Sequence, residues 1–148
     1  MILWFCACLF TPYRLEHAVQ RYDEQTLIDF LQNGTHGYMR ERAAKGLLLI
    51  SHNKAIPNAQ KALRTCLATK TEFDYVRGAC ARTLAIWKDA KVVELIIQAL
   101  PHVDEETRFW MADSLRHNQD PQARAQLSAL RNDSDPLLSA AVRQWLEE

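Results

Sequence analysis

Three arginines carry the most regular chemistry in this chain. Arg40, Arg77 and Arg108 lie 37 and 31 residues apart, each within the same local pattern of apolar, small and leucine positions. A guanidinium is a planar, permanently charged fork that grips carboxylate or phosphate through paired hydrogen bonds. Three of them in register would make either a ladder for anions or a set of struts between successive units. The strut reading is preferred, with Asp74, Asp104 and Asp135 as the expected acceptors. A second polar set recurs at helical spacing: Asn58, Lys61 and Arg64, then Lys91, Glu94 and Gln98, then Arg124, Ser128 and Arg131. Bases outnumber the lone Glu94, so this set reads as a mildly basic contact face for another, acidic protein.

Catalytic chemistry is hard to assemble from what remains. His17, His36, His52, His102 and His117 are scattered, mostly near turns, and complete no HExxH motif. Paired CxxC motifs, a nucleophile elbow and a phosphate-cradling glycine loop are all missing from the sequence. Spacing gives no Ser–His–Asp or Cys–His set, so no catalytic residue, metal or cofactor is expected. Cys66 and Cys80 fall on apolar helical stripes and read as small buried residues. Cys6-Ala7-Cys8 is too short to hold a metal alone, and a reduced, cytoplasmic setting is expected.

The elements that must position these residues follow from the repeat. Tyr75 to Leu84 aligns with Tyr38 to Leu47 and with Glu106 to Leu115, and Leu137 to Trp145 follows more loosely, with Leu138 placed 30 residues after Arg108. A period of this size signals stacked helix pairs, each burying its apolar face on its neighbours. Helices are expected over 38–51, with Met39, Ala43, Leu47 and Ile50 inward, and over 58–69, with Ala59, Ala62, Leu63, Cys66 and Leu67 inward. Asp74 is expected to cap a helix through Trp87, Asp89 to begin a helix ending at Leu100, and Asp104 to cap 105–117. Asp120-Pro121 and Asp135-Pro136 start the last two helices, with proline in the first turn. Trp87, Trp110 and Trp145 read as packed between units, and Trp110, which takes the place of Ala79, must either enlarge one gap between units or expose an indole edge.

Ahead of the repeats, residues 1–36 read as an apolar cap and a degenerate first helix pair. Pro12 is expected to open a helix with Leu15, Ala18, Val19 and Tyr22 on one stripe, and Thr26 to Gln32 to form a second. Residues 1–10 are the most apolar run, too short to span a bilayer and without the basic start of a secretory signal. They are expected to cover the open end of the stack or to pair with a second copy as a homodimer.

The residues Asp74, Val76-Arg77, Ala79, Ala81 and Leu84, followed by Asp89 and by Ile96 to Leu100, resemble HEAT-repeat proteins, specifically the short repeats of the phycobilisome-lyase type. Asp120-Pro121 with Ala123, Leu127 and Leu130 repeats the second half. The resemblance covers residues 38–148 and implies an all-α fold, a right-handed α-solenoid of antiparallel helix pairs in one domain over 1–148. It also implies that second helices line the concave, partner-binding side.

Composition sets the remaining bounds. Eighteen basic and eighteen acidic residues give zero net charge, which counts against a grip on phosphates. The charge is uneven: residues 38–70 hold seven bases against Glu41, a local net of +6. The expected function is a non-catalytic protein-interaction module, an adaptor, scaffold or immunity-type binder, with no membrane association. Two alternatives are carried: a bilin lyase-like chromophore chaperone, implied by the resemblance alone, and nucleic-acid binding through 38–70.

Overall fold

The computed structural model describes residues 3–147, with side chains from residue 12 onward. The expected pairing of residues 1–10 therefore falls on side chains outside the described ones. The described residues are all-helical: α1 (Leu3–Gln20), α2 (Glu24–Asn33), α3 (Gly37–Ser51), α4 (Pro57–Ala68), α5 (Asp74–Ile86), α6 (Val92–Ala99), α7 (Glu105–Arg116), α8 (Pro121–Ala129) and α9 (Pro136–Glu147). Single 3₁₀ turns follow α6 at Leu100–His102 and α8 at Leu130–Asn132.

The helices stack in two rows. In the first, α1 packs on α3, α3 on α5, α5 on α7 and α7 on α9; in the second, α2 packs on α4, α4 on α6 and α6 on α8. Between the rows runs one continuous apolar core, from Leu15 and Leu27 through Leu47, Leu63, Val76, Leu84 and Ile96 to Leu115, Leu127 and Val142. Every residue expected inward on α4 is buried, and so are Met39, Ala43 and Leu47 on α3. Small residues let the rows close. A Cβ on Gly46 would come within 2.9 Å of Val19 and 3.2 Å of Leu27, so glycine lets α3 settle against α1 and α2.

Caps mark the starts where the sequence placed several of them. Asp104 accepts from the Thr107 N–H at 2.7 Å and Asp120 from the Gln122 N–H at 2.8 Å. Asp135 accepts from the Leu137 N–H at 2.9 Å. Five expectations are corrected. Asp74 is the first residue of α5 and caps nothing of its own; its carboxylate accepts from the Asp104 N–H at 2.9 Å, a tie to the next unit. Pro12 lies inside α1 instead of opening it, and α2 starts earlier, capped by Asp23. Tyr22 is exposed, because the chain leaves α1 there in a left-handed conformation, φ 57°. Finally, α4 packs chiefly on α5 and not on α3. The connection between them turns through His52 and Asn53, both left-handed, and carries α4 away from the helix before it.

Arginine struts tie these units together, though not to the acceptors expected. Arg40 grips Glu72 through both carboxylate oxygens at 2.7 and 2.8 Å, and it also reaches the Gly34 carbonyl. Arg108 pairs with Asp133 at 3.2 Å. Glu72 and Asp133 stand two residues before Asp74 and Asp135, so the strut lands on the turn and leaves the next residues free for backbone contacts. Arg77 is buried, donates to the Leu67 carbonyl at 3.1 Å, and lies 4.0 Å from Asp74 on its own helix.

The Arg40–Glu72 strut makes stability depend on pH. Burial pushes the Glu72 carboxyl up, but the hydrogen bonds from Arg40 and from the Phe73 N–H, with the Arg40 charge, outweigh it and leave it below its ordinary 4.5. A carboxyl lowered in the folded state stabilises at pH above its unfolded value, and that contribution disappears as pH falls through the lowered folded value. The stability gap between wild type and E72Q should therefore be constant near neutrality and shrink below pH 4.5. Urea melts across that range would read it, and a gap independent of pH would show that Glu72 is not charged in the strut.

Candidate functional site

A concavity lined by aromatic side chains lies on the first row, where α5 passes between α3 and α7. It encloses about 400 Å³, with Gly78 and Ala79 as its floor and Tyr75, Arg82, Trp110 and Lys45 as its walls. The floor is low because these two residues of α5 are small. The matching positions are Glu41 and Arg42 on α3 and Phe109 and Trp110 on α7. Gly78 also lets α7 approach: a Cβ there would meet the Thr107 methyl at 3.2 Å.

Of the two outcomes open to Trp110, a wider gap or an exposed indole, the second is found. Its indole is 45% exposed, while Trp87 is buried with its N–H on the Ser51 hydroxyl at 2.9 Å. Trp145 packs edge-on against Phe109 with its centroid 5.6 Å away. No gap opens for Trp110 because Phe109 takes the neighbouring inward place, and the two rings meet edge to face at 5.8 Å. The guanidinium of Arg82 sits 5.9 Å above the Trp110 ring, a cation–π contact across the groove. Beyond Trp110 a second, more open hollow of about 540 Å³ is floored by Phe109, Trp110 and Leu137, with Glu105, Glu106 and Asp135 around it. Leu137 is 75% exposed. Tyr38, Phe73 and Tyr75 continue this exposed apolar line along the starts of α3 and α5.

Carboxylates dominate the rim. Glu41 is held by Lys45 at 2.6 Å and Asp104 caps α7, which leaves Glu105 and Glu106 projecting from the first turn of that helix. Acids in a first turn also suit the positive end of the helix dipole.

The polar set expected from the sequence lies on the second row. Asn58, Lys61, Lys91, Glu94, Gln98, Arg124, Ser128 and Arg131 are exposed along α4, α6 and α8 and the turn after α8. Gln98 donates to Glu94 at 3.2 Å. Arg64 stands apart from them: its Nε and Nη2 donate to the buried Asp89 at 2.5 to 3.0 Å, and its side chain is only partly exposed. The groove on the first row was missed by the sequence reading. Its one visible signal was the replacement of Ala79 by Trp110 in the next unit.

Among the described residues no group of three His, Cys, Asp or Glu is placed to hold a metal ion, and no helix is long and apolar enough to cross a membrane. Neither a curated protein nor a solved structure matches the chain. A family model described as HEAT repeats matches residues 65–147, which run from the end of α4 through α9 and make up more than half of the chain. With two rows of helices, struts repeated from unit to unit and this match, the chain belongs to the HEAT-repeat family.

Proposed function

We propose that this chain is a non-catalytic protein-interaction module, an adaptor or scaffold, and that its partner docks in the groove between α3, α5 and α7. HEAT repeats commonly mediate protein–protein contacts, and a single observation directs that role to this groove: a half-exposed Trp110 with Arg82 stacked on it. Tryptophan, tyrosine and arginine around a concave centre are the residues that dominate interface energies, because their large surfaces are desolvated together on docking. The surrounding carboxylates favour a partner that brings basic groups.

The test uses the protein that co-purifies with the full chain, titrated against wild type and W110A. Because the indole is half exposed, the variant is expected to keep its fold and to lose at least tenfold in affinity, about 1.4 kcal/mol. An unchanged Kd with the fold intact would remove the groove from the reading.

A second reading is supported by the exposed polar set on the other row. In a right-handed solenoid of antiparallel pairs, α4, α6 and α8 line the concave side and present Lys61, Lys91, Arg124 and Arg131 to an acidic partner. Reversal of Lys61 and Lys91 to glutamate then weakens binding where W110A does not, and Arg64 is left intact because it holds Asp89. The phycobilisome-lyase subtype would add a bilin chromophore, read as an absorbance change on mixing. Nucleic-acid binding through 38–70 would show as affinity falling steeply with salt. A cytoplasmic location and a homodimer through residues 1–10 complete the proposal.

A further inference from the structure

Two cysteines from different helices meet inside the stack. The sulfurs of Cys66 on α4 and Cys80 on α5 are 2.7 Å apart, and both are free thiols. Cys80 is fully buried and Cys66 keeps 8% of its surface, so the pair meets solvent only from the Cys66 side. Packing does not require a thiol at Cys80, since the matching positions in the other units are Ala43, Met111 and Ala141. A disulfide bond is about 2.05 Å long, so closure needs the sulfurs to approach by only roughly 0.7 Å.

We propose that Cys66 and Cys80 are a redox modification site, closing under a peroxide oxidant to a reversible disulfide that staples α4 to α5. Cys66, nearer solvent, reacts first. Its sulfur attacks one peroxide oxygen, the S–O bond forms, the O–O bond breaks, and the leaving hydroxide departs as water with the Cys66 proton. The Cys80 sulfur then attacks the Cys66 sulfur. The S–S bond forms, the S–O bond breaks, and the departing hydroxide takes the Cys80 proton as a second water. Two electrons pass from the two thiols to the peroxide, and a dithiol reductant returns them. Burial, with the Cys66 contact adding to it, pushes the Cys80 thiol well above the ordinary range, which disfavours it as the sulfur that meets the peroxide first.

The staple joins neighbours in space that lie only 14 residues apart in sequence. It fixes α5, the helix that carries Tyr75, Gly78 and Arg82, against the second row.

The sequence makes the test direct. Cleavage after lysine and arginine puts Cys66 in the peptide 65–70, Cys80 in 78–82, and Cys6 and Cys8 together in a third. The native full chain is treated with hydrogen peroxide, then alkylated in denaturant, cleaved and weighed. The expected product is 65–70 linked to 78–82, present after peroxide and lost with dithiothreitol. The oxidised protein is expected to melt about 5–10 °C higher, a rise that C66S and C80S do not show. Recovery of both peptides singly alkylated would overturn the site. So would Cys66 driven to sulfinic acid beside a free Cys80, Cys66 linked to Cys6 or Cys8, or a link formed only in denaturant. A link with no rise in melting temperature would overturn the staple.

Discussion

Replacing Asp89 by alanine is expected to cost about 2–3 kcal/mol of folding stability, because it removes the shared acceptor of a backbone N–H, the Gln60 amide and the part-exposed Arg64 guanidinium. The side chain is completely buried. Both of its oxygens accept from Arg64, Gln60 donates to it at 3.0 Å, and the Lys91 N–H donates at 2.9 Å. These donors come from α4 and from the turn that leads into α6, so one carboxylate closes the joint between three helices. Asparagine at this position keeps an acceptor for the Lys91 N–H and loses the charge facing Arg64, so D89N should fall between wild type and D89A. Urea unfolding of the three proteins, with R64A to complete a double-mutant cycle, reads the coupling directly. A loss below 1 kcal/mol in D89A would mean that water replaces the carboxylate and that the joint is held by packing alone. The result bears on function as well. An Arg64 reversal intended to disturb a binding face would loosen the stack, and its loss of binding would be misread as a lost contact.

How far the sequence carried is clearest at the helices whose burial is recorded in their own spacing. The stripe Ala59, Ala62, Leu63, Cys66 and Leu67 is the buried face of α4 because its residues recur one helical turn apart, three and four positions on from one another. Asp104 and Asp120 were legible for the same local reason: a cap bonds an N–H two or three residues on. What failed to be legible depends on partners brought near by the stack. Asp74 has the sequence of a cap and spends its carboxylate on a backbone N–H 30 residues away. Arg64 has the spacing of a surface contact and meets Asp89 25 residues on. Trp110 could have been packed or exposed, and the outcome was decided by Phe109 taking the space beside Trp145. The candidate groove is of this kind. Its floor is two small residues of α5, and its walls come from three helices whose distances no local pattern encodes.

Arg77→Ala is expected to destabilise the protein by about 3–4 kcal/mol, and Arg77→Met by markedly less, because the charge and the volume of this side chain act in opposite directions. Arg77 is 2% exposed, the most deeply buried of the strut arginines. One of its donors has its acceptor, the Leu67 carbonyl, but its Nη1 has no hydrogen-bond partner. The struts on either side explain the deficit. Arg40 ends on Glu72 and Arg108 on Asp133, both two residues before the Asp74 and Asp135 positions, and the corresponding residue in Arg77's unit is His102. Alanine removes the volume and leaves a cavity in the row contact. Methionine fills most of that space and removes a desolvated charge, giving up the bond to the Leu67 carbonyl and the 4.0 Å ion pair with Asp74. The same logic predicts that His102→Glu, which restores an acid at the strut's landing point, raises stability by about 1 kcal/mol. That gain should vanish when Arg77 is already methionine. Thermal and urea melts of R77A, R77M, H102E and the H102E/R77M pair decide the matter. If R77M is as damaging as R77A, the guanidinium is fully satisfied in solution. If H102E gains nothing, the central strut is complete without an acid.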